Sequence, residues 1–493
     1  MEIPHWLEKR AFLSPNQTAI QLTDGTTISF ANLRQDAVTF AGKLIGCGVK
    51  CGDRIALLSS NSYQMVVAIH AMTYINCSVV LLNTRLSGTE WQFQYDDAAC
   101  TYLLYEDIYE ADIKNLTVSS RDTYSLTAIE KQKETSFNIP TEMDLEQIFT
   151  ILYTSGTTGF PKGVQLTYGN HFWSAVSSAL NLGLHKQDRW LATLPLFHVG
   201  GLSILIRSTV YGIPVHLHTK YSKQAIHRDI MDQGITIVSV VTVMLEELLG
   251  ELGEQNYPSS MRCMLLGGGP VPRPLLEKCK KKGVPVFQTY GMTETSSQIV
   301  TLSHEDALHK LGSAGKALFT AQVKIVKEGK KLEPNDIGEI MVKGPMVTRG
   351  YYKREEANKE AFQNGWLHTG DLGYLDEDGY LYVVDRRKDL IVSGGENVYP
   401  AEIESVLKEL DSVKDAGVVG ITDKKWGQVP VAFIVQAGSK HSQDINQLKT
   451  FCKDRLAKYK IPKKFFFVDE LPRNASKKLL RRELLEWVKR EED

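Results

Sequence analysis

From residue 18 onward, short β-branched apolar runs alternate with longer stretches of helical period. TAIQL and TTISF flank a turn at Asp24 and Gly25, ANLRQDAVTFAGKLIG reads as an amphipathic helix, and DRIALLSS reads as a strand. NSYQMVVAIHAMTYIN then predicts a helix, and SVVLLNT and TYLLYE predict buried strands. This alternation specifies a mainly parallel sheet covered by helices. Residues 106–147 are more polar and less periodic, and are expected to connect two α/β halves. The second half repeats the theme with RWLATLP, IPVHLH, ITIVSVV, MRCMLLGG and VPVFQTY, without a residue-level repeat. From about 312 to 384 the texture changes to short strands with glycine turns (VKIV, GEIMVKG, GYLYVVD). After VVDRRKD, the runs DLIVSG, YPAEIESVLKEL, DAGVVGI and PVAFIVQ form a last α/β unit.

The expected fold is therefore α/β. A large N-terminal region, residues 1–384, holds two doubly wound α/β subdomains and a small β-rich one. A charged segment, residues 385–389, reads by itself as a surface turn before a small α/β C-terminal domain, residues 390–493.

Composition narrows the function classes. With 57 basic and 58 acidic residues there is no global field for nucleic acid or an anionic membrane, so any anion must be held by a local site. The N-terminus MEIPHWLEKRAF lacks a basic region followed by an apolar core, and no stretch reaches the roughly 18 apolar residues of a spanning helix. A cytoplasmic protein without membrane insertion is the default expectation. The seven cysteines are scattered and odd in number, which suits reduced thiols packed as small apolar residues.

Four segments carry chemistry. YTSGTTGFPKG, residues 153–163, follows the strand-like run IFTIL; its glycines let backbone N–H groups approach phosphate oxygens, its hydroxyls add donors, and Lys162 adds a full charge. It is not a Walker A loop, because Pro161 and Gly163 break that pattern. In QTYGMTETSSQ, residues 288–298, Tyr290 offers an aromatic face for a purine and Glu294 a carboxylate for a hard cation such as Mg²⁺. Asp371 lies in a Thr-Gly-Asp turn suited to ribose hydroxyls, with Arg386 fifteen residues on. LPRNASKKLLRRELLEW places a basic run before an amphipathic helix; most of these charges read as a solvated helix face.

Together and in this order, these motifs resemble the adenylate-forming superfamily of acyl-CoA ligases, peptide-synthetase adenylation domains and luciferases, over nearly the whole chain. LLGGGPVP and QTYGMTET look like its adenine-binding strands, HTGD like its ribose motif, and DRRKDLIVSGGENVYPAEIE like its hinge and first C-terminal strand. LPLFHVGGL and YGMTETSSQIVTL look most like its menaquinone-pathway branch, which implies an aromatic keto acid with two carboxylates as substrate. The resemblance implies that ATP, Mg²⁺ and coenzyme A are used, that residues 385–389 are a hinge and that the small α/β C-terminal domain is mobile. Rival readings are a CoA ligase for another aryl or fatty acid, a stand-alone amino-acid adenylating enzyme loading a carrier thiol, and a nucleotide-binding interaction protein that kept the fold. Monomer or homo-oligomer is left open.

By resemblance, Thr154, Ser155, Gly156, Thr157, Thr158, Gly159 and Lys162 hold the β- and γ-phosphates. Gly268, Gly269 and Tyr290, with Gly291, Met292 and Thr293, surround the adenine; Glu294 coordinates Mg²⁺; Asp371 and Arg386 bind the ribose. His198, Gly267, Ser297 and Gln298 face the acyl substrate, and Gly394 and Gly395 line the path of the pantetheine arm. Lys478 is the adenylation lysine, although Lys477 stands where the family usually has glycine. Lys162, Glu294 and Lys478 are thus the expected catalytic groups. Lys478→Ala is expected to slow acyl-adenylate formation by about 10²- to 10³-fold while sparing thioester formation from supplied adenylate, as measured by the two half-reactions separately. Equal damage to both would remove Lys478 from that role.

Overall fold

Side-chain caps start several of the helices that the periodicity predicts. Ser29 accepts from the Asn32 N–H to open Phe30–Gly46, and Ser62 accepts from the Met65 N–H to open Tyr63–Ile75. Thr167 and Asn170 form a reciprocal capping box at Tyr168–Leu182. The computed structural model describes residues 1–119, 122–154, 161–267, 273–385, 390–437, 445–472 and 479–492. Among them, no helix is long and apolar enough to cross a membrane.

The described residues form two compact units. The first takes in Met1–Thr84, Tyr95–Leu152 and Gly163–Val384; the second takes in Arg85–Gln94, Tyr153–Lys162 and Asp385–Asp493.

In the first unit, Arg54–Leu58 pairs in parallel with Ser78–Leu81 and with Tyr102–Tyr105, within a six-stranded sheet that Ile148–Thr154 and Lys162–Thr167 extend. Helices Phe30–Gly46 and Tyr63–Ile75 bury Leu33, Phe40, Leu44, Met65 and Ile69 in the core beside it. Residues 106–147 do more than connect. Thr123–Ser125 adds a parallel strand beside Tyr102–Tyr105, and Glu142–Asp144 pairs with Glu2–Pro4. These three-residue strands are too short to show a period.

The second sheet runs in parallel through Val215–Leu217, Trp190–Ala192, Ile237–Val241, Cys263–Gly267 and Val286–Met292. Thr18–Leu22 joins this sheet beside Val215–Leu217, with Ile20 opposite Val215, rather than the sheet of the first half. Alternation identifies a strand and its buried faces; it does not identify the partner. Ser313–Ala317 continues the same sheet through Ser297–Leu302. The antiparallel strands Gln322–Lys327, Gly338–Lys343, Trp366–Leu375 and Leu381–Asp385 therefore extend it, where the texture predicted a β-rich subdomain.

The second unit is organised by a long antiparallel hairpin, Val413–Asp423 with Gly427–Gln436, flanked by Phe465–Phe467 and Ile391–Ser393. Ile391, Val398, Ile403, Leu407, Val418, Ile434 and Leu448 share its core.

One carboxylate ties three parallel strands of the first unit at their amino ends. Asp188 is 1% exposed and takes both Nε (2.7 Å) and Nη2 (2.6 Å) of Arg262, the Thr236 hydroxyl (3.0 Å) and the His185 N–H (2.8 Å). These residues lie just before Trp190–Ala192, Ile237–Val241 and Cys263–Gly267. Burial pushes the Asp188 carboxyl up, but Arg262, the His185 N–H and Thr236 outweigh it and hold the pKa below the usual carboxylate range. Its contribution to stability is complete above the unfolded carboxylate value and disappears as pH falls through the lower folded value. Arg262→Ala is expected to cost about 3–5 kcal/mol in urea unfolding at neutral pH, because it leaves a buried charge without its main partner. A loss under about 1 kcal/mol, the range of a surface pair, would show that the pair does not hold these strands.

Candidate active site

In open α/β sheets, ligands bind outside the carboxyl ends of the strands. In the second sheet those ends carry the segments expected to bind acyl group and nucleotide. After Trp190–Ala192, the buried Asn61 fixes the turn: its Nδ2 donates to the Leu194 carbonyl (3.0 Å) and the His218 carbonyl (3.2 Å), and its Oδ1 accepts from the Leu196 N–H (2.8 Å). The His198 N–H then donates to the Pro195 carbonyl at 3.1 Å, and His198 becomes the N-cap residue of Val199–Tyr211. Gly201 is needed here, since a Cβ would lie 2.1 Å from the Pro195 oxygen; at Gly200 the nearest atom, a Leu194 methyl, is 3.6 Å away.

Gly267 ends the neighbouring strand, and Thr289 Oγ1 donates to the Leu266 carbonyl beside it. Val286–Met292 is followed by a single turn, Thr293–Thr295, and then by Ser296 and Ser297 at φ 51° and 109°. Consecutive non-glycine residues at positive φ are costly and cluster at functional sites. Thr295 Oγ1 accepts from the Met292 N–H at 2.9 Å, and the Ser296 hydroxyl donates to the Met346 carbonyl at 2.8 Å. Gly291 has no room for a side chain: a Cβ would lie 2.0 Å from the Ser297 oxygen.

Tyr290, Glu294 and Asp371 are all buried in the first unit. The Tyr290 hydroxyl donates to Asp371 Oδ2 at 2.8 Å, joining residues 81 positions apart. The Tyr290 ring packs among Ile299, Val300, Ile340 and Val342, so the nearly covered ring contributes its hydroxyl as well as an aromatic body. Asp371 is set by the Thr369 hydroxyl, which accepts from the Asp371 N–H (3.1 Å) and donates to the Ile340 carbonyl (2.7 Å). Glu294 Oε1 accepts from the Tyr351 hydroxyl at 2.9 Å, and the Glu294 carbonyl accepts from the Thr348 N–H. A hard carboxylate oxygen held in this way suits a magnesium ion, which usually takes one or two protein carboxylates and keeps its other ligands as water or phosphate.

Arg207 was missed by sequence reasoning. It lies in the apolar helix Val199–Tyr211, 1% exposed, with its guanidinium over the Trp190 ring and Nη2 3.5 Å from the Ser297 hydroxyl. Its Nε has no hydrogen-bond partner, and neither does either end of the buried Gln298 amide. Burial pushes the Arg207 pKa down, yet an arginine stays charged in a protein. The available signal was one arginine within GLSILIRSTVY.

In the second unit, Gly394 and Gly395 form the two-residue turn between Ile391–Ser393 and Glu396–Val398, at φ 58° and 85°. Positive φ at both positions is the requirement of a type I′ hairpin. Trp426 covers Gly394, whose Cβ would lie 2.8 Å from the indole ring. Thr154 ends one strand and Lys162 opens the neighbouring one. Ser155, Gly156, Thr157, Thr158, Gly159, Gly268, Gly269, Arg386, Lys477 and Lys478 lie outside the described residues.

A family model for AMP-binding enzymes matches residues 7–352, and one for the AMP-binding enzyme C-terminal domain matches residues 402–478. The chain belongs to the AMP-binding enzyme family. A full-length relative is 2-succinylbenzoate–CoA ligase of Bacillus cereus (strain Q1), 54% identical over 486 residues and 99% of each chain. Among solved structures, o-succinylbenzoate CoA synthetase from Bacillus subtilis is 50% identical. A double mutant of that enzyme bound to its product analogue OSB-NCoA matches with a TM-score of 0.94 over 99% of both chains. The same enzyme with the acyl-adenylate OSB-AMP matches at 0.77 over 98% of both chains, and with ATP and magnesium at 0.77 over 98% of this chain and 100% of that one.

Adjacent glycines test the packing of the turn before His198. Gly201→Ala is expected to lose about 1–3 kcal/mol in urea unfolding, while Gly200→Ala is expected to be neutral or to gain up to about 1 kcal/mol from helix propensity. Equal effects at the two positions would mean that the Pro195 carbonyl does not set this turn.

Proposed function

We propose that this chain is an AMP-forming acid–CoA ligase that converts 2-succinylbenzoate, ATP and CoA to 2-succinylbenzoyl-CoA, AMP and diphosphate, a step of menaquinone biosynthesis. The observation that carries the choice of acid is the buried cation Arg207, whose Nη2 lies 3.5 Å from the Ser297 hydroxyl and whose Nε has no hydrogen-bond partner among the described residues. A monocarboxylic fatty or benzoic acid spends its only carboxylate at the phosphorus and leaves the buried Arg207 cation without an anion. A second carboxylate and a keto oxygen supply the missing acceptors, and charge-assisted hydrogen bonds of this kind are the strong ones. The near-full-length identity to 2-succinylbenzoate–CoA ligases supports the same acid.

The reaction needs no protein nucleophile. One carboxylate oxygen of the acid attacks the α-phosphorus and diphosphate leaves; the CoA sulfur then attacks the acyl carbon, its proton is lost, and AMP leaves. In this reading Lys478 neutralises charge at the reacting carboxylate and α-phosphate, while Thr154 through Lys162 cradle the outgoing diphosphate. Magnesium, when bound, neutralises phosphate charge, with Glu294 as its protein ligand and Tyr351 holding that carboxylate in place. Asp371, oriented by Tyr290, takes the ribose hydroxyls with Arg386, and the adenine lies by Gly268, Gly269 and the Gly291–Thr293 turn. His198 and Gly267 border the aromatic ring of the acid, and Gly394 and Gly395 form the tight turn beside the pantetheine arm at φ values that favour glycine. A hinge at residues 385–389 would let the C-terminal domain serve both steps.

Mass spectrometry of the CoA thioester, with benzoate and octanoate as parallel acids, is expected to show preferred turnover of 2-succinylbenzoate. Arg207→Met should lower kcat/KM for 2-succinylbenzoate by about 10- to 100-fold, the worth of a hydrogen bond to a charged group, and leave any residual benzoate turnover unchanged. Preferred turnover of another acid, or equal loss on both acids in the variant, would overturn the assignment of the acyl pocket.

A further inference from the structure

Residues 85–94 fall, in sequence, between two strands of the six-stranded sheet, yet they belong to the second compact unit. Among the described residues, four hydrogen-bonded side-chain links hold them there. Arg85 Nη1 pairs with Glu396 Oε1 at 2.7 Å, the Ser87 hydroxyl donates to the Arg455 carbonyl at 3.0 Å, and the Thr89 hydroxyl donates to the Asp454 carbonyl at 3.2 Å. The fourth link is buried. Lys460 Nζ donates to Glu90 Oε1 at 2.6 Å and to Glu402 Oε1 at 2.7 Å, and the three residues are 4%, 8% and 5% exposed.

The chemistry of this cluster differs from that of an ordinary core contact. Apolar residues of similar volume would hold two surfaces together at least as well as buried charges do, so stability alone does not account for an ion triad. Each side, moreover, keeps a partner without the other, although Glu402 Oε2 is buried with no hydrogen bond among the described residues. Glu90 Oε2 accepts from the Ser87 N–H (2.8 Å) and hydroxyl (2.9 Å), capping its own helix, Gly88–Asp97. Lys460 has Glu402 from within the 385–493 segment. When Glu90 and Lys460 part, neither charge is stranded, which is the property of a contact that is made and broken. A second observation links it to the proposed CoA step. Glu396, the partner of Arg85, directly follows the Gly394–Gly395 turn.

We propose that Glu90, Lys460 and Glu402 are positioning residues for thioester formation: the triad, once closed, seats the Gly394–Gly395 turn where the CoA thiol passes, and it contributes nothing to adenylation. The inference rests on the ligase reading above. The test uses full-length enzyme and two readouts: ATP–diphosphate exchange with 2-succinylbenzoate, and single-turnover acyl transfer to CoA from preformed acyl-adenylate. Glu90→Ala and Lys460→Met are each expected to slow transfer by about 10- to 100-fold, the scale of a misplaced reacting group, and to leave exchange within about twofold. The double variant should be no slower than the worse single one, because both remove the same link. Glu90→Gln, which keeps an acceptor for Lys460, should recover most of the transfer rate. Equal loss of exchange and transfer, or transfer unchanged in Glu90→Ala, overturns the positioning role. Absence of exchange in the unmodified enzyme with every acid would instead sink the ligase reading, so the two failures are distinguishable.

Discussion

Asp188 gathers a guanidinium, a hydroxyl and a backbone N–H at the amino ends of three neighbouring parallel strands. Parallel strands have no tight turn to set their register, and each enters this sheet from a separate crossover. A buried carboxylate that accepts from residues just before all three fixes their relative start. What leaves their carboxyl ends is thereby fixed as well: the turn before His198, the glycine at 267 and, one strand further on, the segment from Tyr290 to Gln298. Loops can carry irregular and strained backbone, such as Ser296 and Ser297 at positive φ, because the scaffold beneath them is over-determined.

How far the sequence could be read depended on whether a residue's constraint was local. Glycine at 394 and 395 carries a local signal, because a type I′ turn needs particular residue types at adjacent positions. The parallel strands and their helices were legible for the same reason, through their period. Partners distant in sequence were not. Thr18–Leu22 reads correctly as a strand, but nothing in its five residues says that Val215–Leu217 will take it. The Tyr290 hydroxyl on Asp371 and the Tyr351 hydroxyl on Glu294 cross 81 and 57 positions, so neither pair has a spacing to find. Asn61, which shapes the turn before His198, is one asparagine before a helix and looks like a cap.

Arg207 and Lys460 are both nearly inaccessible cations, and their surroundings assign them different tasks. Lys460 is surrounded by two carboxylates, and although burial disfavours its ammonium, Glu402 and Glu90 hold its pKa above the ordinary lysine value. Its charge is answered within the chain, so its role is to join segments. Arg207 has an aromatic face, a distant hydroxyl and an Nε without a partner, and burial pulls its pKa down. Tyr211 and Ser297 offset part of the desolvation cost of that charge, but no carboxylate among the described residues pairs with it. On the proposed reading, the same reasoning favours a diacid over acids lacking the second carboxylate. Such discrimination would need no clash, because an acid without the second carboxylate would leave the buried Arg207 charge unpaired.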